Sequence, residues 1–140
     1  MAKKVFVSFD YDKDRNYKFL LNAWDKNDKF NFSFADHSSQ EIDSDEVARV
    51  KAALTRKINS ADVTLVIVGK DANKKHPDSE EIGYKNWINF EVAKSIDADN
   101  SLVAVKIDSN YTSPDELLGS GASWAMSFTE ENIINALDKA

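Results

Sequence analysis

The sequence has 140 residues, of which 42% are hydrophobic and 30% charged; this balance is typical of a single globular domain, here residues 1–140. Cysteine is absent, which excludes disulfides, thiolate nucleophiles and zinc–thiolate sites. The formal net charge is -6 and the basic residues are scattered, so a nucleic-acid partner is not expected. Because no stretch approaches the ~20 apolar residues of a membrane span, we expect a cytoplasmic protein without a membrane partner.

The first half of the chain alternates strand and helix patterns. Residues 5–9 are an apolar run of strand formers, and residues 30–34 alternate with a period of two, which predicts a strand at a sheet edge. Between them lies a helical stripe formed by Tyr17, Leu20, Leu21 and Trp24. After a polar loop over residues 35–42, Asp43 and Glu46 have the spacing of a capping box. The helix that follows has the stripe Val47, Val50, Leu54 and Ile58.

The second half continues this alternation. Residues 63–68 are apolar on both faces, which is typical of a central parallel strand covered by helices on each side. The polar segment 70–85 predicts a long loop, serving either as a lid or as a mobile connection. The remaining predicted elements are a helix over residues 87–96, strands over 102–107 and 124–128, and a final helix capped by Thr129.

This order of elements predicts an α/β fold. We expect a three-layer, flavodoxin-like arrangement, with a five-stranded parallel sheet in the order 2-1-3-4-5 and helices on both faces. Ligands of such sheets bind beyond the carboxyl ends of the strands, near the switch between strands one and three. The loops that matter for function are therefore residues 10–14, 36–42 and 70–85.

Acidic residues dominate the segment after the first strand. A phosphate cradle would need Gly, Ser or Thr there, whereas the sequence has Asp10, Asp12 and Asp14. A calcium loop counted from Asp10 would place Arg15 where glycine is required and Leu21 where the bidentate glutamate belongs. We therefore interpret Asp12 and Asp14 as solvated residues that cap the first helix.

A phosphate-receiver switch is an alternative, because receivers also have acids after strand one. Such a switch needs an acceptor aspartate at the end of strand three and a lysine at the end of strand five. Here the third strand runs into Gly69, Lys70 and Asp71, and the fifth has no lysine at its end. His37 and His76 lie in separate loops with no third ligand at a useful spacing, so no metal site is expected.

Two segments resemble a known family. Residues 5–10, Val-Phe-Val-Ser-Phe-Asp, and residues 86–93, Asn-Trp-Ile-Asn-Phe-Glu-Val-Ala, resemble the first box and the Trp-x-x-x-Glu segment of TIR and TIR-like domains. The similarity is greatest to the short bacterial TIR-like branch that includes the TIR proteins of Thoeris antiphage systems, and it extends over residues 4–108. The Arg-Asp and Pro-Gly signature of many eukaryotic TIR adaptors is absent, which argues against adaptor-style docking.

This resemblance implies an enzyme that cleaves the nicotinamide–ribosyl bond of NAD, which is then a substrate and not a cofactor. In some relatives, ring closure or ADP-ribose transfer makes a signal nucleotide. The family's catalytic glutamate corresponds to Glu91. Nicotinamide leaves NAD without protonation, and a fixed carboxylate stabilises the oxocarbenium-like sugar that remains. Alternatively, Glu91 pairs with Lys94 on a solvated face and Trp87, at i−4, is ordinary core.

Further candidate residues come from the predicted strand ends. Phe9 is a candidate for stacking on nicotinamide or for the core, and Asp10 is a candidate for binding the ribose or the amide. Ser8, Asp36 and Ser38 are candidates for hydrogen bonds to ribose hydroxyls, although such residues in loops often satisfy local backbone. The resemblance also implies self-association and a downstream effector protein. The alternative function is a non-catalytic TIR-like interaction module.

Overall fold

The computed structural model describes residues 3–24, 32–35 and 46–140. Its strands are β1 (Lys3–Ser8), β2 (Phe32–Ala35), β3 (Val63–Val68), β4 (Ser101–Lys106) and β5 (Ser123–Ala125). Its helices are α1 (Tyr11–Trp24), α2 (Val47–Asn59), α3 (Ser79–Ile82), α4 (Trp87–Asp97) and α5 (Glu130–Lys139), with a 3₁₀ helix at Asp115–Leu117.

The described strands form one sheet in the order β2-β1-β3-β4-β5, and every neighbouring pair is parallel. The prediction of an α/β fold with a parallel sheet is therefore confirmed. The chain moves outward from β1 to β2 and then returns to β3 on the other side of β1. The crevice between the carboxyl ends of β1 and β3 is consequently the topological switch point, where ligands of such folds bind.

Alternation along the strands divides the core between two faces of the sheet. Val5 and Val7 of β1 pack with α1 and α5, whereas Phe6 packs with α2 and α4. The same alternation continues in β3, where all six residues are buried. Helices thus cover both faces of the sheet, and this burial of apolar surface is the main stabilising contribution.

The inner face of α1 differs from the predicted one. The helix begins at Tyr11, directly after Asp10, so most of the expected loop over residues 10–14 is helical. Asp14, Lys18 and Leu21 are buried, while Leu20 is 43% exposed. The prediction that Asp14 is solvated is wrong, because the early helix start turns residue 14 toward the sheet. The Asp12 side chain lies outside the described part.

The start of α2 and the segment over residues 70–85 also differ from the prediction. The stripe of α2 is confirmed at Val50, Leu54 and Ile58, but Glu46 is the N-cap and its side chain makes no capping hydrogen bond. The predicted capping box is therefore wrong, and Asp43 lies outside the described residues. The expected loop over residues 70–85 contains α3, which ends at Gly83 in the left-handed conformation (φ 83°) that favours glycine.

The remaining elements match more closely. Thr129 caps α5 as predicted, accepting a hydrogen bond from Asn132 N at 3.2 Å. The observed bounds of β2 and β5 lie within a few residues of the predicted ones. None of the helices in the described ranges combines the length and apolar character needed to cross a bilayer.

Candidate functional site

The start of α4 is fixed by an asparagine cap. Asn86 Oδ1 accepts a hydrogen bond from Asn89 N at 2.9 Å, which satisfies one of the free amides at the helix N-terminus. The other end of the same amide donates to Ala72 O and Lys74 O, each at 2.9 Å. Because residues 72 and 74 follow β3, Asn86 sets the position of α4 relative to the carboxyl end of that strand.

A second buried amide joins this corner to the 3₁₀ helix. Asn89 Nδ2 donates to Asn73 Oδ1 at 3.1 Å, and Asn89 Oδ1 accepts from Glu116 N at 2.9 Å. Asn73 in turn donates to Asp115 Oδ1 at 3.0 Å. The sequence reasoning missed these positioning roles; two asparagines three residues apart at the start of an apolar helix were the available signal.

A third set of hydrogen bonds fixes the backbone of α4 at Glu91. Ser95 Oγ donates to Glu91 O at 2.7 Å, so its single hydroxyl proton is used there. Thr64 Oγ1 of β3, 2.6 Å from Ser95 Oγ, must then act as the donor to Ser95. This buried chain of hydroxyls ties the middle of α4 to the central strand.

The side chain of Glu91, in the middle of α4, lies against the end of β1. Its side chain is 1% exposed, and Ser8, the last residue of β1, is fully buried. Because strand residues alternate, Ser8 shares the face of Phe6 and points toward α4, where its hydroxyl faces the Glu91 carboxyl. Neither Ser8 Oγ nor Glu91 Oε2 makes a hydrogen bond of normal geometry. Two buried polar groups with unused hydrogen-bonding capacity therefore meet at the carboxyl end of β1.

Burial controls the charge of this acid. Removal from water raises the pKa of Glu91 well above its usual value, and the nearby Ser8 hydroxyl lowers it by a smaller amount. Burial thus favours the protonated, neutral form of Glu91 in the protein alone. Perturbed carboxyl groups of this kind, placed at the ligand-binding edge of the fold, are candidates for catalysis.

Comparison with protein families assigns the chain to a family. Residues 6–112 match the family described as Thoeris protein ThsB, TIR-like domain. The chain belongs to this Thoeris ThsB TIR-like family. The matched range covers Ser8 and Glu91, so both sides of the buried pair lie inside the family domain of this antiphage protein. No curated protein shows a significant match to the chain.

In this TIR-like domain the indole of Trp87 packs against two neighbouring rings. Its ring meets Phe90 edge to face at a centroid distance of 5.6 Å, and His76 at 6.5 Å. The indole is only partly buried, so part of its surface faces outward one turn before Glu91. The alternative in which Glu91 pairs with Lys94 on a solvated face is wrong, because Glu91 is buried and Lys94 lies 4.0 Å from Asp97.

The structure does not gather all of the candidate ligand-binding residues. Phe9 is 3% exposed and packs in the core on the α1 and α5 side, opposite the face of Ser8. Asp10 is half-buried just beyond β1. Asp36 and Ser38 lie outside the described residues. Among the candidates described, Ser8 and Glu91 come together, and Trp87 lies one helical turn away.

A second perturbed acid lies at the same edge of the TIR-like sheet. Asp14 is 4% exposed, and burial, followed by the negative charges of Asp10 and Asp71, raises its pKa from 3.8 to about 6. In the part of the chain that the structure describes, no three His, Cys, Asp or Glu side chains are arranged to hold a metal ion.

Proposed function

We propose that this TIR-like domain cleaves the nicotinamide–ribosyl bond of NAD, with Glu91 as the catalytic carboxylate. The observation that carries the proposal is the buried Glu91 carboxyl, which meets Ser8 at the carboxyl end of β1 with one oxygen unpartnered. Membership of the Thoeris ThsB TIR-like family supports it. The proposed biological role is the production of an ADP-ribose-derived signal in antiphage defence.

The chemistry needs one well-placed negative charge. The bond between the ribosyl carbon and the pyridinium nitrogen breaks, and its electron pair returns to the ring, so nicotinamide leaves as a neutral molecule. The sugar becomes an oxocarbenium-like cation, which a fixed carboxylate stabilises more strongly in a poorly hydrated site than in water. Capture by water gives ADP-ribose and releases one proton, whereas capture by an internal atom gives a cyclic product.

The raised pKa of Glu91 makes substrate binding and ionisation interdependent. Without a nearby cation, burial favours the protonated acid. A pyridinium ring beside the carboxyl favours the ionised form, so binding of NAD is expected to release a proton from Glu91. Because Glu91 is 1% exposed, binding must also displace side chains that cover it. Activity should therefore rise with pH as Glu91 ionises.

The remaining candidates have supporting roles in this proposal. Ser8 stabilises the ionised form of Glu91, and the exposed part of Trp87 contacts the substrate one turn away. Asp10 lies at the strand end, where ligands of this fold bind. Asp36 and Ser38 remain proposed ribose-binding residues, and Phe9 is proposed only as support for the end of β1. We also propose that the domain self-associates and that its product acts on a downstream effector protein.

Nicotinamide release from NAD tests the proposal directly. Purified protein is incubated with NAD, alone and with lysate of phage-infected cells, and the products are separated by chromatography. Glu91→Gln should lower the rate by at least ~100-fold, which is the usual scale for loss of an electrostatic stabiliser. Glu81→Gln, on exposed α3, is the matched control and should retain the rate. Equal rates for both variants would remove Glu91 from the mechanism.

A non-catalytic interaction module is the second candidate function. Apolar side chains are exposed along and near the edge strand β5, with Trp124 39%, Met126 56% and Leu118 71% exposed. Such exposure is typical of contact surfaces between proteins. This function predicts concentration-dependent assembly, measured by light scattering, together with no NAD turnover under any activating condition.

A further inference from the structure

The space beside Gly69 is occupied by the carboxyl group of Asp14. Gly69 directly follows β3 and is buried, and a β-carbon added there would overlap the Asp14 carboxyl carbon and both of its oxygens. A side chain of α1 thus rests directly on the backbone at the end of the central strand. The absence of a side chain at residue 69 makes this contact sterically possible.

The contact lies at the topological switch point. Asp14 N donates a hydrogen bond to Asp10 O, just after β1, at 2.7 Å, and Gly69 O accepts one from Ala72 N at 3.3 Å. The Asp14 carboxyl therefore connects the segment after β1 with the segment after β3. Ser8 and Asn86, which place the two sides of the Glu91 site, are attached to these same two segments.

The surroundings of Asp14 suit a neutral carboxyl group. Asp14 is 4% exposed, and its Oδ2 is buried without a hydrogen-bond partner. Among the described side chains, the charged groups near it are Asp10 before α1, Asp71 after β3, exposed Lys70 beside Gly69, and Lys18 one turn further along α1. Asp10 and Lys18 each make other interactions. The two aspartates oppose ionisation of Asp14.

We propose that Asp14 is a proton-dependent clasp, which holds the end of β3 against α1 when its carboxyl is neutral and releases Gly69 when the carboxyl ionises. An ionised carboxylate in this position is poorly hydrated and is repelled by Asp10 and Asp71, and outward rotation relieves both effects. Release lets the segment 69–71 move relative to the end of β1. The crevice next to Glu91 then becomes more open.

Nuclear magnetic resonance of the full chain tests the clasp without any substrate. The sequence has four glycines, so the Gly69 amide can be assigned and followed from pH 4.5 to 8. In the wild type this signal should titrate with a midpoint near 6, the pKa of Asp14. Asp14→Asn should abolish the titration, and Asp71→Asn should move it to lower pH. Asp138→Asn, on exposed α5, is the control and should leave it unchanged.

A double-mutant cycle tests the steric part independently. Gly69→Ala should lower the unfolding temperature, and Asp14→Ala in the same chain should restore part of the loss by making room for the new methyl group. Additive effects, or a Gly69 signal that titrates identically in Asp14→Asn, would overturn the clasp. The effect on catalysis rests on the proposed function: NAD cleavage should change near pH 6 in the wild type and lose that step in Asp14→Asn. If the protein cleaves no NAD, the enzymatic proposal is wrong, but the clasp can still be tested through the Gly69 signal, which needs no substrate.

Discussion

Ser8 and Glu91 form a buried polar pair between the last residue of β1 and the middle of α4. The serine hydroxyl lowers the pKa of the acid, and burial raises it more strongly. Burial thus favours the neutral form of Glu91, whereas the Ser8 hydroxyl favours its ionised form. In the proposed reaction this balance sets the pH at which the carboxylate becomes available.

Replacement of Ser8 by alanine should raise the pKa of Glu91 further, because the hydroxyl no longer stabilises the carboxylate. We expect the acidic limb of the activity profile to move to higher pH, with kcat/KM falling most at low pH. A carbon-detected titration of the Glu91 carboxyl measures the same shift without substrate. Ser60→Ala, at the exposed end of α2, is the control. An unchanged Glu91 titration in Ser8→Ala would contradict the pairing.

Glu91 should also make stability depend on pH. Its folded-state pKa is raised, so between about pH 4.3 and that pKa the folded state holds a proton that the unfolded chain has released. Folding stability contributed by the neutral acid is therefore complete below this window and is lost as pH rises through it. The loss is at most about 1.4 kcal/mol per pH unit.

Glu91→Gln should remove this dependence. The free energy of unfolding of Glu91→Gln, relative to that of the wild type, should therefore increase as pH rises from 4.5 to 7.5. Urea unfolding at several pH values measures the difference. Asp14 titrates in both proteins and cancels in the comparison, provided the two acids are independent. Glu81→Gln should follow the wild-type curve, and a Glu91→Gln curve parallel to wild type would refute a raised pKa.

The asparagine network gives a prediction about positioning. Asn89→Ala leaves the backbone amide of Glu116 without its acceptor and removes one of the two hydrogen bonds that Asn73 Oδ1 accepts, the other coming from Asp115 N. Unsatisfied buried groups cost about 1–3 kcal/mol each, so a loss within that range is expected overall. Denaturant unfolding measures it, and hydrogen exchange at Glu116 should become faster. Asn132→Ala, exposed on α5, should lose much less; an Asn89→Ala protein as stable as wild type would contradict the network's role.

The apolar pattern of the sequence predicted the layers of the fold but not the details of the site. All six residues of β3 are buried, and a run that is apolar on both alternating faces is typical of such a central strand, so β3 was predictable from the local sequence. Asp14 was not, because a polar residue facing the sheet breaks the periodicity on which helix prediction depends. Its burial became apparent only once Gly69, 55 positions away in the sequence, was placed beside it.

Glu91 differs from Asp14 because its segment carried a family resemblance in addition to a helical pattern. The resemblance identified the residue, whereas its burial beside Ser8 depends on the parallel pairing of β1 with β3. The links from Asn86 and Asn89 to residues 72–74 and 116 were likewise unpredictable, since hydrogen bonds between distant segments have no local sequence signal. Tertiary contacts, and not local propensity, therefore complete the site.

Trp87 provides the sharpest test of which side chains contact the substrate. Its ring packs on Phe90 and His76, so Trp87→Ala should cost about 2–4 kcal/mol, somewhat less than for a fully buried tryptophan. Trp87→Phe keeps an aromatic ring in the cluster and should cost about 1 kcal/mol. If the exposed part of the indole contacts NAD, Trp87→Phe should raise KM several-fold while kcat changes little, because the Glu91 charge is intact. Phe90→Leu, in the same cluster but fully buried, should lower stability without that selective rise in KM. A KM for Trp87→Phe equal to that of the wild type, at matched stability, would restrict Trp87 to packing.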